Sequence, residues 1–339
     1  MFSKRASGIW SGLVFMLGLA TITGAAPNGA ARDLSLSLIP RHAVSPQAGA
    51  LASSPAQESV RYRIPRAVFF NEVAGRGLLV RLWINGFGPY TFALDTGAGA
   101  SIVSPRVAAE AGLPVKQGTQ NKIAGLSGVP HREVTSEVRA ASLAIGDRDN
   151  ALPATGTVLK ADIFPNDIDG ILDPTEAFWP LGYAIDFPRR ELSAFDPALT
   201  PLRSWQGPGE GAIVPWVREP NSRRPYVLLD NGQRALIDTG SEFGLALTDP
   251  AGGYDRRTSP SGRAVRDLGG GMISARRVAP QTVAIGSLIL QRIPTDLVSG
   301  AESGSPTLLG RAAMRPFRIK FDPISRLIEI APVAGAGER

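Results

Sequence analysis

Cysteine is absent from all 339 residues. That excludes disulfides, thiolate nucleophiles and cysteine-ligated metal sites outright. Histidine is nearly absent as well: only His42 and His131 occur, too few for a histidine-rich metal centre. A serine nucleophile with a histidine base would have to rest on His131, because His42 falls in a linker-like stretch. Neither a Gly-x-Ser-x-Gly turn nor a phosphate loop accompanies it, so His131 reads as an exposed loop residue. Lysine occurs five times, and the net charge of +6 comes mostly from scattered arginine. No dense basic run with interleaved aromatics marks a nucleic-acid surface.

Long apolar runs are lacking too, with one exception. Lys4 and Arg5 precede a largely apolar stretch from Ile9 to Ile22, which Thr23-Gly24-Ala25-Ala26 follows. Basic, apolar and small residues in that order predict a signal peptide over 1–25 and an exported, periplasmic or secreted protein. The stretch is short for a span of ~20 residues, so a retained membrane anchor is the lesser reading. Residues 26–58 are rich in Ala, Ser, Pro and Gly, which predicts a flexible linker or a propeptide.

What is present points to a β-rich globular protein. Hydrophobic residues make up 43% of the chain and charged ones 19%, enough apolar material for a real core. The 38 glycines and 28 prolines favour many short strands and turns over long helices. The length accommodates about two domains.

One tripeptide recurs. Tyr90-Thr91-Phe92-Ala93-Leu94 leads into Asp95-Thr96-Gly97, and Gln233-Arg234-Ala235-Leu236-Ile237 leads into Asp238-Thr239-Gly240. A given tripeptide arises by chance at about one position in several thousand. Two copies, each ending an apolar strand, are hard to reconcile with two ordinary β-turns, the plain alternative. Flanking features recur in the same order. Asn85-Gly86 and Asp230-Asn231-Gly232 predict hairpin turns ahead of each Asp. Ala144-Ile145-Gly146-Asp147 is echoed by Ala284-Ile285-Gly286-Ser287, and Ile185-Asp186-Phe187 by Ile319-Lys320-Phe321. These echoes predict an internal duplication of roughly 140 residues. The expected halves are 59–200 and 201–332, each a β lobe, with a tail over 333–339. Regular structure is expected from Val60-Arg61-Tyr62-Arg63-Ile64 onward, and Ser104-Pro105 and Gly112 predict the start and end of a short helix.

The stretch from Leu78 to Ser101 and both Asp-Thr-Gly triplets closely resemble the active-site loops of retropepsin-like and pepsin-like aspartic proteases. The resemblance extends over roughly Ile64 to Ile330. It implies an all-β, two-lobed acid-protease fold, with a cleft between lobes and few short helices. It also implies an endopeptidase in which water is activated by Asp95 and Asp238 sharing one proton. Thr96 and Thr239 would lock the two loops together, and Gly97, Gly240 and Ser241 would shape them. No metal or cofactor is implied, and the partner is a polypeptide substrate held by a monomer. Pairing of each half with a second chain is the alternative assembly. Substrate-covering flaps are expected at Gly125-Leu126-Ser127-Gly128 and at Gly269-Gly270-Gly271. Neither tip carries the tyrosine of pepsin-like flaps, which tilts the likeness toward the retropepsin side.

One position departs from the family. Thr307-Leu308-Leu309-Gly310-Arg311 matches the segment that packs behind the second catalytic loop, but its counterpart, Asp169-Gly170-Ile171-Leu172-Asp173, has an acid where the family usually has glycine. A side chain there would crowd the first catalytic loop, unless that loop shifts or Asp173 points to solvent with Pro174 redirecting the chain. This single departure supports the alternative of a catalytically impaired peptide-binding module on the same fold.

Overall fold

Asn85 and Gly86 decide how the first half begins. Both have positive φ, 51° and 79°, as a two-residue turn matched to strand twist requires. The computed structural model describes residues 18–20, 62–129, 135–203, 211–219, 222–248, 262–266, 271–302 and 304–333. In it the turn joins strand Gly77–Ile84 to the antiparallel strand Phe87–Leu94, with Leu82 opposite Tyr90 and Leu78 opposite Leu94. The Asn85 side chain anchors the turn by donating to Ala111 O at 3.0 Å and accepting from Ala141 N at 2.8 Å.

Phe87–Leu94 runs directly into Asp95. On its far side strand Gly170–Leu172 lies parallel, with Leu172 opposite Leu94, and Asp95 N donates to Leu172 O at 3.0 Å. Ser101–Val103 is antiparallel to Gly170–Leu172 and parallel to Val158–Lys160. Glycine at 170 is dictated by packing, since a Cβ there would lie 2.3 Å from both Ile102 O and the Phe92 ring. Ser104 caps helix Pro105–Glu110 by accepting from Val107 N at 3.2 Å, and Gly112 follows its end with φ of 59°.

The second half repeats this order. Ser222–Leu228 and Arg234–Asp238 are antiparallel, with Tyr226 opposite Leu236. Thr307–Gly310 lies parallel to Arg234–Asp238, with Gly310 opposite Asp238. Leu245–Thr248 is antiparallel to Thr307–Gly310 and parallel to Leu288–Ser299. The echoed Gly146 and Gly286 both sit in turns at positive φ, 74° and 60°. The architecture is all-β, and its helices among the described residues are the short Pro105–Glu110, Pro174–Ala177 and Arg311–Met314.

A six-stranded sheet ties the halves together. Its order is Ala212–Pro215, Leu327–Pro332, Phe317–Asp322, Gly182–Asp186, Glu191–Phe195 and Val68–Phe69. The two central strands are the echoed segments, with Ile185 directly opposite Ile319. An approximate two-fold axis therefore passes through that pair. Tyr183 stacks on Phe321 at 4.6 Å, and Phe178 and Trp216 extend the aromatic column on either side. All of this lies in one unit, Met1–Thr21 with Arg63–Arg339; of the other, Ile22–Tyr62, only Tyr62 is described.

Of the expected start at Val60–Ile64 only Tyr62 to Ile64 are described, and regular structure is delayed there: Tyr62 to Ala67 form no strand, and the next described strand is Val68–Phe69. Pro65 accounts for the delay: it has no N–H to contribute to a ladder and it restricts Ile64 before it. Apart from Gly18–Ala20, which pairs with Val115–Ala124, the expected signal peptide and linker lie outside the described residues, as do His42 and His131. Among the described residues no helix is long and apolar enough to cross a membrane.

Candidate active site

The two Asp-Thr-Gly loops meet at the seam between the halves. Thr96 N donates to Thr239 Oγ1 at 3.0 Å, and Thr239 N donates to Thr96 Oγ1 at 3.1 Å. Each hydroxyl in turn donates across the seam to a carbonyl, Thr96 to Ile237 O at 2.7 Å and Thr239 to Leu94 O at 3.0 Å. Both side chains are buried. A hydroxyl is the one small group that can accept from an N–H and donate to a C=O at once. Four hydrogen bonds thus join strand ends that are 143 residues apart in sequence.

This clamp presses the carboxylates together. Asp95 and Asp238 are 0% and 1% exposed. Each holds one oxygen fixed by its own turn: Asp95 Oδ1 accepts from Gly97 N and Asp238 Oδ1 from Gly240 N, both at 2.8 Å. The Oδ2 of each is buried and has no donor. A Cβ on Gly97 would lie 2.9 Å from Asp238 Cγ, so glycine is what allows the first loop to reach the second carboxylate. Ser241 completes the second loop, its Oγ accepting from Phe243 N at 3.3 Å and its carbonyl accepting from Arg311 N at 2.9 Å.

Burial is the largest influence on both acids and raises both. The Asp238 charge pushes Asp95 further, well above the ordinary carboxylate range. Asp238 is pushed up to about 6, restrained by hydrogen bonding to Asp95 and to the Gly240 backbone and by the Arg311 charge. Two ionised carboxylates cannot bond to each other; a single proton between them removes the repulsion and gives one orphaned Oδ2 a donor. The pair therefore holds one proton as a unit.

Arg311, which the sequence places in the segment behind the second loop without a role, acts on both acids. It is 3% exposed, donates from Nη1 to Thr239 O at 2.7 Å, and approaches Glu242 at 3.3 Å and Glu72 at 3.6 Å. Its charge lowers the pKa of both Asp95 and Asp238. The signal available was an arginine directly after the run Leu308-Leu309-Gly310, where a cation survives burial only with a partner.

Asp173 neither points to solvent nor is left idle. It is 1% exposed and caps the helix Pro174–Ala177, its Oδ1 accepting from Thr175 N at 2.9 Å, while its own N–H donates to Ser101 Oγ at 3.1 Å. At the matching Gly310 a Cβ would lie 2.3 Å from Phe243 O and 2.8 Å from Ser241 O, so only the first half carries a side chain at this place. Burial, then the Glu176 charge, raises Asp173 to about 8, which keeps it neutral at pH 7.

The expected flap residues behave unequally. Gly128 N donates to Gly125 O at 3.1 Å, closing a turn at the end of Val115–Ala124. Leu126, at its tip, is 4% exposed and packs into a cluster otherwise built by the second half, with Tyr226, Phe243, Ile273 and Leu308. Its carbonyl accepts from Glu302 N at 3.0 Å and from Ser305 Oγ at 3.1 Å. Ser127 lies against Gly271, where a Cβ would fall 2.8 Å from Ser127 Cβ. Gly269 and Gly270 lie outside the described residues.

A family model described as aspartyl protease matches residues 80–172. That span contains the first hairpin, Asp95-Thr96-Gly97 and the strand Gly170–Leu172. A search of the curated proteins finds no match. Residues 80–172 are therefore similar to an aspartyl protease domain, which implies hydrolysis of polypeptides.

The clamp predicts a thermodynamic signature. Thr96→Val and Thr239→Val each strand a buried N–H and a buried carbonyl across the seam, so each should cost about 1–3 kcal/mol in urea unfolding. The double variant should lose clearly less than the sum, because the two residues share one network. Strict additivity would contradict the reciprocal arrangement. Asp173 predicts a pH dependence. Its native pKa of about 8 lies above the unfolded value of 3.8, so the folded state binds the extra proton between them and stability falls as pH rises through that window. Asp173→Asn should match the parent's melting temperature near pH 4 and exceed it above pH 8 by at least about 2–4 °C. An equal difference at both pH values would refute this.

Proposed function

We propose that the protein is an exported aspartic endopeptidase whose catalytic pair is Asp95 and Asp238. The observation that carries this reading is the pair of buried Oδ2 atoms without donors, one from each half, beside carboxylates whose Oδ1 atoms are already held by Gly97 and Gly240. Two acceptors so placed suit a water molecule bound between them. On this reading ionised Asp238 takes a proton from that water as its oxygen bonds to the scissile carbonyl carbon, while the Asp95 proton passes to the carbonyl oxygen. Collapse of the tetrahedral intermediate breaks the C–N bond: Asp238 gives its proton to the leaving amine, and ionised Asp95 takes a proton back from one hydroxyl of the intermediate, which departs as a carboxylic acid and restores the starting pair. Thr96, Thr239, Gly97, Gly240 and Ser241 hold the loops in register, and Arg311 keeps one member of the pair ionised.

Both triplets come from one polypeptide, which supports a monomer rather than halves paired between chains. Export rests on the order of residues in 1–25. Residues 26–58 act as linker or propeptide, 59–200 and 201–332 as the two lobes, and 333–339 as a tail. The alternative of an impaired binding module rested on Asp173, and its role as a buried cap leaves both loops joined. The turn Gly125–Gly128 serves as the lid over the pair and Gly271 as its seat; a substrate enters when Leu126 lifts from the second half.

Asp95→Asn and Asp238→Asn should each reduce cleavage of a denatured protein mixture by at least about 10³-fold; undiminished cleavage by either would refute the mechanism. For the parent, kcat/KM should climb with pH through about 6 as Asp238 ionises and decline at higher pH as Asp95 loses its proton. A profile that is highest below pH 4 would contradict this assignment.

The absence of cysteine allows a clean test of the lid. Ser127→Cys with Gly271→Cys, oxidised, should lose hydrolysis and regain it on reduction. Full activity of the oxidised protein would show that the turn need not open.

A further inference from the structure

A second concave site lies beside the seam, formed by both halves. It is a cavity of about 260 Å³ whose walls include Trp179, Trp216, Arg218, Ser222, Arg223 and Arg326. Trp179 follows the helix that Asp173 caps. Trp216 and Arg218 belong to the turn and strand after Ala212–Pro215, and Arg326 to the turn between the last two strands. Trp216 is fixed: its Nε1 donates to Arg224 O at 2.9 Å, and its ring stands edge-on to Phe321 at 6.1 Å. The Arg223 guanidinium lies over the Trp179 ring, 4.2 Å from its centre, and 3.5 Å from Glu176.

Charge in this cavity is unbalanced. Arg218 and Arg326 have no acidic partner among the described residues, and Glu176 is the one carboxylate in an ion pair with a lining arginine. Arg326 moreover holds a φ of 55°, a conformation that costs a bulky residue energy and that Gly or Asn would adopt more easily. Guanidiniums framed by two indoles favour a planar anion carried on an apolar stem: the indoles exclude water and the fork-like donors bind two oxygens at once.

The cavity is one side chain away from the first catalytic loop. Arg224 Nε donates to Ser222 Oγ at 3.3 Å, and the Arg224 side chain covers Gly99, with Nε 3.5 Å from where a Cβ would stand. Gly99 lies four residues beyond Asp95. Ser222 in the cavity wall and Arg224 over Gly99 thus join the cavity to the loop that carries Asp95. We propose that this cavity is an accessory subsite that takes a carboxylate of the polypeptide substrate, from an Asp or Glu side chain or from a free C-terminus. The inference rests on the proteolytic reading for the identity of the ligand, but its binding test needs no turnover.

The full-length chain carrying Asp238→Asn, which leaves peptides uncut, is titrated calorimetrically with matched ten-residue peptides. One contains two glutamates and an amidated end, one has glutamines in their place, and one has glutamines with a free C-terminal carboxylate. A carboxylate-bearing peptide should bind at least about tenfold more tightly than the neutral one, and the advantage should shrink with added salt. Preference for the glutamate peptide assigns the pocket to an acidic side chain, and preference for the free acid assigns it to a chain end. Arg218→Gln with Arg326→Gln, both exposed residues, should abolish the advantage while leaving affinity for the neutral peptide unchanged. Equal affinity for all three peptides, or a carboxylate preference that survives the double substitution, would overturn the proposal. In the parent background the same substitutions should raise KM for acidic substrates alone. A protein that binds acidic peptides but cleaves none would leave this pocket standing and remove the proteolytic reading.

Discussion

Two threonine hydroxyls hold the site in place. Each accepts a backbone N–H from the opposite loop and donates to a carbonyl beyond it. Neither Ser101 nor Ser241, equally buried nearby, bonds across the seam. Because all the groups are buried, the arrangement is nearly all-or-none: losing one hydroxyl strands polar groups on both sides. The separation and orientation of Asp95 and Asp238 follow from this junction, and so does the close passage of Gly97 against Asp238. The six-stranded sheet supports it by joining the two halves through the facing Ile185 and Ile319.

The electrostatics follow from that enforced proximity. Two carboxylates removed from water and pressed together cannot both stay ionised, and the Gly97 and Gly240 N–H groups, with the Arg311 charge behind them, pull the other way. Its guanidinium is held by Thr239 O on one side and by Glu72 and Glu242 on the other, so it is neutralised locally and still felt by both acids. Asp173 contributes a further buried acid that is neutral near pH 7 and capped to a helix. The second half has room only for glycine at the corresponding place. The two-fold repeat is therefore chemically lopsided: a cation stands behind one loop and a neutral acid behind the other.

Much of this was legible in the residues. The hairpins, the strand that delivers each Asp, the capped helix after Ser104 and the echoed turns at Gly146 and Gly286 all follow from local turn chemistry and strand alternation, which depend on near neighbours. What stayed hidden depends on contacts between distant segments. Nothing in Leu126 distinguishes a loop tip exposed to solvent from one buried in the opposite half. Arg311 resembles any scattered arginine until the fold buries it beneath both loops. Asp173 suggested crowding because its place as a buried cap, bonded to Ser101 and Thr175, depends on a strand more than 70 residues away. That Tyr62 to Ala67 form no strand comes from Pro65 overriding the alternation around it.

The central claim is that the two acids behave as one titrating unit. ¹³C-carboxyl NMR can follow the Asp95 resonance, assigned by its loss in Asp95→Asn, through a pH titration of the parent and of Asp238→Asn. Removing the Asp238 charge should lower the Asp95 midpoint substantially, since that charge ranks second only to burial in raising it. An Asp95 midpoint that does not move would mean the carboxylates titrate independently, and the shared proton on which the account rests would not exist.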